Sequence, residues 1–191
     1  MRAKFPDYHN RPVPPFGDPA ARLLIVGLAP GAHGANASGR PFTGDFAGHL
    51  LYRSLYELGL ASAAESLSAH DKLRLHGCRI TNAVKCLPPA NRPTTEEADT
   101  CNAYLVAELA GLSGGSVIFA LGGIAHRAVL RAFSLKLSAY PFGHDRLHTL
   151  PSGHRLIDSY HCSRYNTQTK RLTEDMFIAV MQRAQALAFE R

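Results

Sequence analysis

The stretch Gly27–Asp45, GLAPGAHGANASGRPFTGD, follows directly on the apolar run Leu23-Leu24-Ile25-Val26. An uninterrupted run of branched aliphatic residues reads as a strand buried on both faces, the kind found in parallel sheets. The stretch after it holds five glycines, so backbone N–H groups and small side chains can come close to a ligand there. A loop leaving the carboxyl end of a parallel strand is where open α/β sheets place their sites.

Working outward, three further apolar runs read as strands. With the first, Arg22–Leu28, they are Cys78–Val84, Ser116–Leu121 and Arg155–Tyr160. Helical patterns lie between them. Asp45–Leu58 sets Phe46, Leu50, Leu51, Leu55 and Leu58 on one stripe, and Thr94-Thr95-Glu96-Glu97 spells a capping box ahead of Cys101, Leu105 and Leu109. Gly122-Gly123 opens a helix through Phe133, and Thr173–Phe189 closes the chain. Strands alternating with helices predict an α/β fold, a three-layer α/β/α sandwich around a central, mostly parallel four-stranded sheet. Right-handed crossovers bring the loops Gly27–Asp45, Asn82–Pro93, Gly122–His126 and His161–Thr173 to one edge. Residues 1–21, rich in proline and polar groups, read as an extended lead-in without regular structure, and residues 22–191 as one domain.

Composition narrows the function classes. No segment reaches the apolar length of a membrane span, and Met1–Pro15 has the composition of no signal peptide, so the expected compartment is the cytoplasm. The net charge of +6 favours a polyanionic partner. Arg155, Arg164, Lys170 and Arg171 fall close together, interleaved with Tyr160, Tyr165, Asn166 and Gln168; from charge alone this is a solvated basic loop. Cys78, Cys86, Cys101 and Cys162 form no C-x-x-C pair, and each by itself reads as a small buried apolar residue.

The glycine-rich loop lacks G-x-G-x-x-G and the Gly-Lys-Ser/Thr ending of a P-loop, which argues against a nucleotide cofactor. Phe42 is either core or a flat stacking surface for a planar ring. Asn82 ends the second strand; its amide complements the Watson–Crick edge of a pyrimidine, though such an Asn also serves as turn former or cap. His161 ends the last strand, where a histidine is structural or catalytic. The segment HCSRYNTQTKRLT joins an imidazole to phosphate-binding side chains and a possible wedge, as needed to hold an extruded base and fill the gap it leaves.

Together GLAPGAHGANASGRPFTGD, TNAVKCLPPANRPTTEE and HCSRYNTQTKRLT resemble the motifs of the family 5 (B-type) uracil-DNA glycosylases and, more distantly, the iron–sulfur family 4 enzymes, over about Arg11 to Leu172. The resemblance implies a monofunctional glycosylase, acting as a monomer, that removes uracil, and by extension hypoxanthine and other deaminated bases, from DNA to leave an abasic site. Carried over, Phe42 stacks under the flipped base, Asn82 reads its edge, and His161 donates to a base oxygen as negative charge develops. Gly27 and Ala29 line the base pocket. The position after Gly27, acidic or amide in other members of the superfamily, is the apolar Leu28-Ala29 here. Asp45 and Asn36 are therefore the candidates for orienting water, Asp45 being equally suited to N-cap the following helix. Arg164, Lys170 and Arg171 would meet phosphates, Tyr165 or Asn166 would enter the duplex, and Arg40 and Lys85 would approach the backbone.

One departure concerns the cluster. The resemblance implies a structural 4Fe-4S group on four cysteines, none of it needed for the chemistry. Cys86 and Cys101 match one ligand pair, but no cysteine precedes Cys78 to supply the other, so the expectation is that this chain holds no cluster. A module of the same fold that binds uracil-containing or single-stranded DNA without cleaving it is the alternative reading.

Overall fold

The computed structural model describes residues 1–89 and 93–190. The opening apolar run becomes a strand with every residue buried. In chain order the strands are β1 (Phe16–Gly17), β2 (Leu23–Gly27), β3 (Cys78–Asn82), β4 (Val117–Leu121), β5 (Leu147–Thr149) and β6 (Arg155–Ser159). They form one six-stranded sheet in the order β1-β3-β2-β4-β6-β5. The four central strands are mutually parallel, with β2 and β3 in register from Leu23↔Cys78 to Gly27↔Asn82. Both edges are antiparallel: β1 on β3 and β5 on β6.

The helices are α1 (Ala35–Ser38), α2 (Phe46–Glu57), α3 (Thr95–Ala110), α4 (Gly123–Ala132), α5 (Arg164–Gln168) and α6 (Glu174–Phe189), with a 3-10 turn at Leu137–Ala139. Successive strand residues point to opposite faces, and the core divides accordingly. Leu23, Ile25, Ile80, Phe119 and Ile157 pack with Leu51 and Leu55 of α2 and Phe177, Val180 and Met181 of α6. Leu24, Val26, Ile118, Ala120 and Leu156 pack with Leu105 and Leu109 of α3 and Val129 and Leu130 of α4. These are the three layers expected from the alternation of elements. The capping box forms as spelled: the Glu97 N–H donates to Thr94 Oγ1 at 3.2 Å, and the Thr94 N–H donates to the Glu97 carboxylate at 2.7 Å.

The sheet is wider than the four strands expected. Its two added edges, β1 and β5, are too short to show a period, and β1 falls within the lead-in expected to lack regular structure. That lead-in is held against the glycine-rich loop: the N–H groups of His9 and Asn10 donate to the carbonyls of Ala37 and Asn36. Phe5 and Tyr8 stack on each other, and both meet the edge of His33. Phe46, expected on the buried stripe of α2, is exposed at its first turn.

Candidate active site

The site is built where β2 and β3 end side by side. Gly27 and Asn82 are register partners, and the glycine is required by what crosses it. A Cβ at Gly27 would stand 2.4 Å from Asn82 Oδ1 and 2.6 Å from Phe42 Cζ. Hence Asn82 and the Phe42 ring meet over a bare backbone.

Phe42 is buried and sits at φ 60°, in the left-handed region. For a residue with a Cβ this costs roughly 1–2 kcal/mol, and the neighbours hold it. The Tyr52 hydroxyl, pushed up to about 12 by burial and so always a donor, bonds the Pro41 carbonyl at 2.7 Å. Thr43 Oγ1 and Ser66 Oγ share a 2.6 Å bond. The first turn of α2 also lies so close that a Cβ at Gly48 would be 1.9 Å from the Phe42 carbonyl oxygen.

Opposite Phe42 stands His161, the two rings 24° from parallel with centroids 6.0 Å apart. Burial pushes the His161 pKa down to about 4, so the imidazole is neutral at pH 7. Its Nδ1 and the Oδ1 of Asn82 are buried with no hydrogen-bond partner among the described residues. Buried polar atoms are rarely left unpaired. Phe42, Asn82, His161, Ala29 and Asp45 all line one cavity of about 460 Å³, within the usual range for a small-molecule site.

Asp45 occupies the N-cap position of α2 but makes no side-chain cap bond to it. The carboxylate turns the other way and accepts the Ala35 N–H at 3.1 Å. Burial raises its pKa, against the lowering effect of backbone bonds from Ala35 and Gly31. Two glycines make room for it: a Cβ at Gly31 would be 2.1 Å, and at Gly34 1.9 Å, from Asp45 Oδ1. Part of the glycine-rich loop thus accommodates a carboxylate of the protein itself, a role invisible in the spacing of glycines.

Other expected site residues are placed elsewhere. Asn36 is buried, and its amide donates to Asn10 Oδ1 at 3.1 Å and faces the Ala32 carbonyl at 3.4 Å. It lines a separate cavity with Asn10, Cys86 and Pro88, not the one that holds Asp45. Asn166 is no free wedge: its amide donates to the His161 carbonyl at 2.8 Å, and its own carbonyl accepts the Leu172 N–H. Arg40 does not reach outward. It is buried, 2.6 Å from Asp71, with further bonds to Ser66 and the Ala69 carbonyl. Lys85 is likewise buried, 2.8 Å from Glu108, and desolvation lowers its pKa against that pairing.

Arg164, Tyr165, Lys170 and Arg171 are exposed. Arg164 lies over the Phe46 ring at 4.8 Å, at the rim of the cavity. Arg171 lies over Tyr160 at 4.6 Å and lines a neighbouring cavity that shares His161. Tyr165, 70% exposed, projects from α5. The Phe46–Arg164 contact was missed by sequence reasoning because it joins residues far apart in the chain.

The cysteines do not fit a four-thiolate cluster. Cys78 and Cys162 belong to the apolar core beneath the sheet, and burial pushes both thiols up to about 12. They hydrogen-bond to the carbonyls of Leu60 and Ala47. Cys86 is exposed and Cys101 half-buried; burial and then the neighbouring Cys101 raise the pKa of Cys86. Two thiols of this chain are placed together, where a cluster asks for four.

Comparison with known proteins bears on the family. Residues 14–185 match the model of the uracil DNA glycosylase superfamily. The chain is 53% identical over 181 residues to the type-5 uracil-DNA glycosylase of Thermus thermophilus, covering 95% of this chain and 82% of the relative. It is 43% identical to the type-5 uracil-DNA glycosylase of Pyrobaculum aerophilum, covering 94% and 77%. Similarity to the type-4 uracil-DNA glycosylase of Archaeoglobus fulgidus is lower, 36% over 66% of this chain and 56% of the relative. Among solved structures, that of Pedobacter heparinus SMUG2 shares the fold, with a TM-score of 0.54 at 15% identity over 96% of this chain and 81% of that one. With nearly its whole length matched, this chain belongs to the uracil DNA glycosylase superfamily.

Proposed function

We propose that this chain hydrolyses the N-glycosidic bond of uracil in DNA and leaves an abasic site. The observation that carries the reading is the pair of unpartnered buried atoms, Asn82 Oδ1 and His161 Nδ1, in the wall of one cavity. A uracil extruded from the duplex offers an imide N–H and carbonyl oxygens to such groups.

In this reading Phe42 stacks beneath the base, Asn82 reads its edge and Ala29 lines the cavity, while Gly27, expected in the pocket wall, lies behind it and leaves room for Asn82 and Phe42 to meet. As the bond lengthens, the sugar gains oxocarbenium character and the base leaves as an anion. A neutral His161 donates an N–H to the base oxygen, an interaction stronger in the transition state than in the ground state. Asp45 is assigned the water, since its carboxylate faces the same cavity and its burial keeps it poorly solvated. Asn36, bonded to Asn10, is assigned a positioning role between lead-in and loop. Arg164, Lys170 and Arg171 contact phosphates and Tyr165 fills the vacated stack, while Asn166 sets the position of His161. No step passes through a cluster. The reading extends to a cytoplasmic monomer, as every residue it needs comes from one chain, and to hypoxanthine, as Leu28 and Ala29 offer apolar contact to bases of other outline. Among the described residues no helix is long and apolar enough to cross a membrane.

The non-catalytic module is not favoured, because the curated relatives at 53% and 43% identity are named as glycosylases. An oligonucleotide with one uracil, incubated with enzyme and then alkali, should break at that position in single- or double-stranded form. Parallel hypoxanthine and thymine-mismatch substrates bound the range. Binding without scission under enzyme excess would instead establish the module.

A further inference from the structure

Away from the base cavity, three side chains converge where α4 and β5 meet β6. Asp158, in β6, is 0% exposed. His126 Nδ1 lies 2.8 Å from Asp158 Oδ1, and His148 Nε2 lies 3.7 Å from Asp158 Oδ2. One ligand atom from each residue can be chosen so that all lie within 4.8 Å of one another.

The hydrogen-bond inventory there is incomplete. His126 is hydrogen-bonded at both ring nitrogens, Nε2 standing 2.8 Å from the Tyr140 carbonyl and Nδ1 2.8 Å from Asp158 Oδ1. His148 has the Pro141 carbonyl as backbone acceptor, while its Nε2 has no partner, and neither has Asp158 Oδ2. Two unpaired buried atoms, His148 Nε2 and Asp158 Oδ2, thus adjoin the His126–Asp158 contact, with backbone carbonyls behind both imidazoles. The proton shared between His126 and Asp158 Oδ1 leaves these two atoms unpaired. A single cation in its place satisfies all three side chains.

We propose that His126, His148 and Asp158 form a binding site for a divalent transition-metal ion of the zinc class. Two imidazoles and a carboxylate are zinc donors, and a carbonyl behind each ligating histidine is the usual outer support. Tetrahedral bonds of about 2.0–2.2 Å place ligand atoms about 3.3–3.5 Å apart. His148 Nε2 and Asp158 Oδ2, 3.7 Å apart, are close to that spacing, and one donor atom from each of the three residues lies within 4.8 Å of the others. The harder cations prefer all-oxygen sets and are not suited. The ion's role is structural. It ties the three-residue edge strand β5 and helix α4 to β6, the strand that leads into His161, and takes no part in bond cleavage.

Untagged protein, stripped with chelator, is dialysed against Zn²⁺, and bound metal and the unfolding midpoint are measured. One zinc per chain is expected. At free zinc a hundredfold above Kd the midpoint should rise by roughly 5–10 °C. Both effects should vanish in His148→Gln, on the edge strand, and persist in a Cys86→Ser/Cys101→Ser double variant. His148→Cys, which keeps a zinc-binding atom, should retain the ion if the glutamine variant fails to fold. Absence of binding by the wild-type protein overturns the proposal. So does zinc that disappears with the two cysteines and survives His148→Gln.

Discussion

Gly34→Ala tests whether the position of Asp45, and not merely its presence, sets the rate. The new Cβ would lie 1.9 Å from Asp45 Oδ1, where ordinary contact begins at 3.4 Å, so the carboxylate must retreat by about 1.5 Å. The φ of Gly34, −105°, lies outside the left-handed region. A displacement of about 1 Å at a reacting group costs on the order of a hundredfold, about 2.7 kcal/mol of barrier. Asp45→Asn keeps shape and the Ala35 contact but removes the base, for a loss of about 10²–10⁴. The assay is single-turnover release of uracil under enzyme excess, with DNA affinity measured by anisotropy. Both variants should bind DNA as the wild type does, and the double variant should be little worse than Asp45→Asn, because both changes act through one carboxylate. Stability separates this from a structural role. Burial raises the Asp45 pKa, so its charged form costs the native state stability as pH rises past the unfolded value. Asp45→Asn should leave the unfolding midpoint at pH 7 unchanged or higher. A wild-type single-turnover rate in Asp45→Asn would refute the water-orienting role. A slow Asp45→Asn beside a fast Gly34→Ala would refute the dependence on its placement.

Four other outcomes are expected. With its pKa near 4 in the folded chain against 6.5 unfolded, His161 binds its proton more readily in the unfolded state. Its contribution makes stability rise from about pH 4 to 6.5, by on the order of 3 kcal/mol, and urea titrations of His161→Gln should lose that part of the slope. Phe42→Leu should cost about 1 kcal/mol of stability yet slow uracil release about five- to 150-fold through lost stacking, worth about 1–3 kcal/mol per base; equal excision rates would remove Phe42 from the base-binding role. Arg164→Ala and Arg171→Ala should each lower the slope of log affinity against log salt by about 1. Arg40→Ala should instead lower the unfolding midpoint and leave the salt slope alone, because it removes the buried partner of half-buried Asp71 and of Ser66.

The parallel centre of the sheet was legible because Leu23–Val26 and Val117–Leu121 are long enough to announce a doubly buried strand. The α3 start was legible because Thr94 and Glu97 complete their bonds within one turn. What escaped depended on distance in the chain. Arg40 reads as a free cation until Asp71 is brought to it, and Lys85 until Glu108 is. Asp45 is a plausible cap by position, yet its carboxylate follows the N–H of Ala35. The edges β1 and β5 carry too few residues for alternation to register, and α1 and α5 are a turn or so each. Phe42, Asn82 and His161 come to one cavity as their places at loop and strand ends suggested, whereas Asn36 and Asn166 are spent on holding the backbone.

Because Asn82 closes β3 in register with Gly27 at the close of β2, the base recognition proposed for Asn82 is indexed to the sheet itself. A slip of one residue between these strands would exchange the two faces of β3, turning the amide out of the cavity and Thr81 toward it. The discriminating group therefore cannot be moved gradually along the chain. Insertions or deletions ahead of β3 must be absorbed before Cys78 or they abolish reading altogether. Substitution in place is the only gradual route by which such an enzyme can alter which base it accepts.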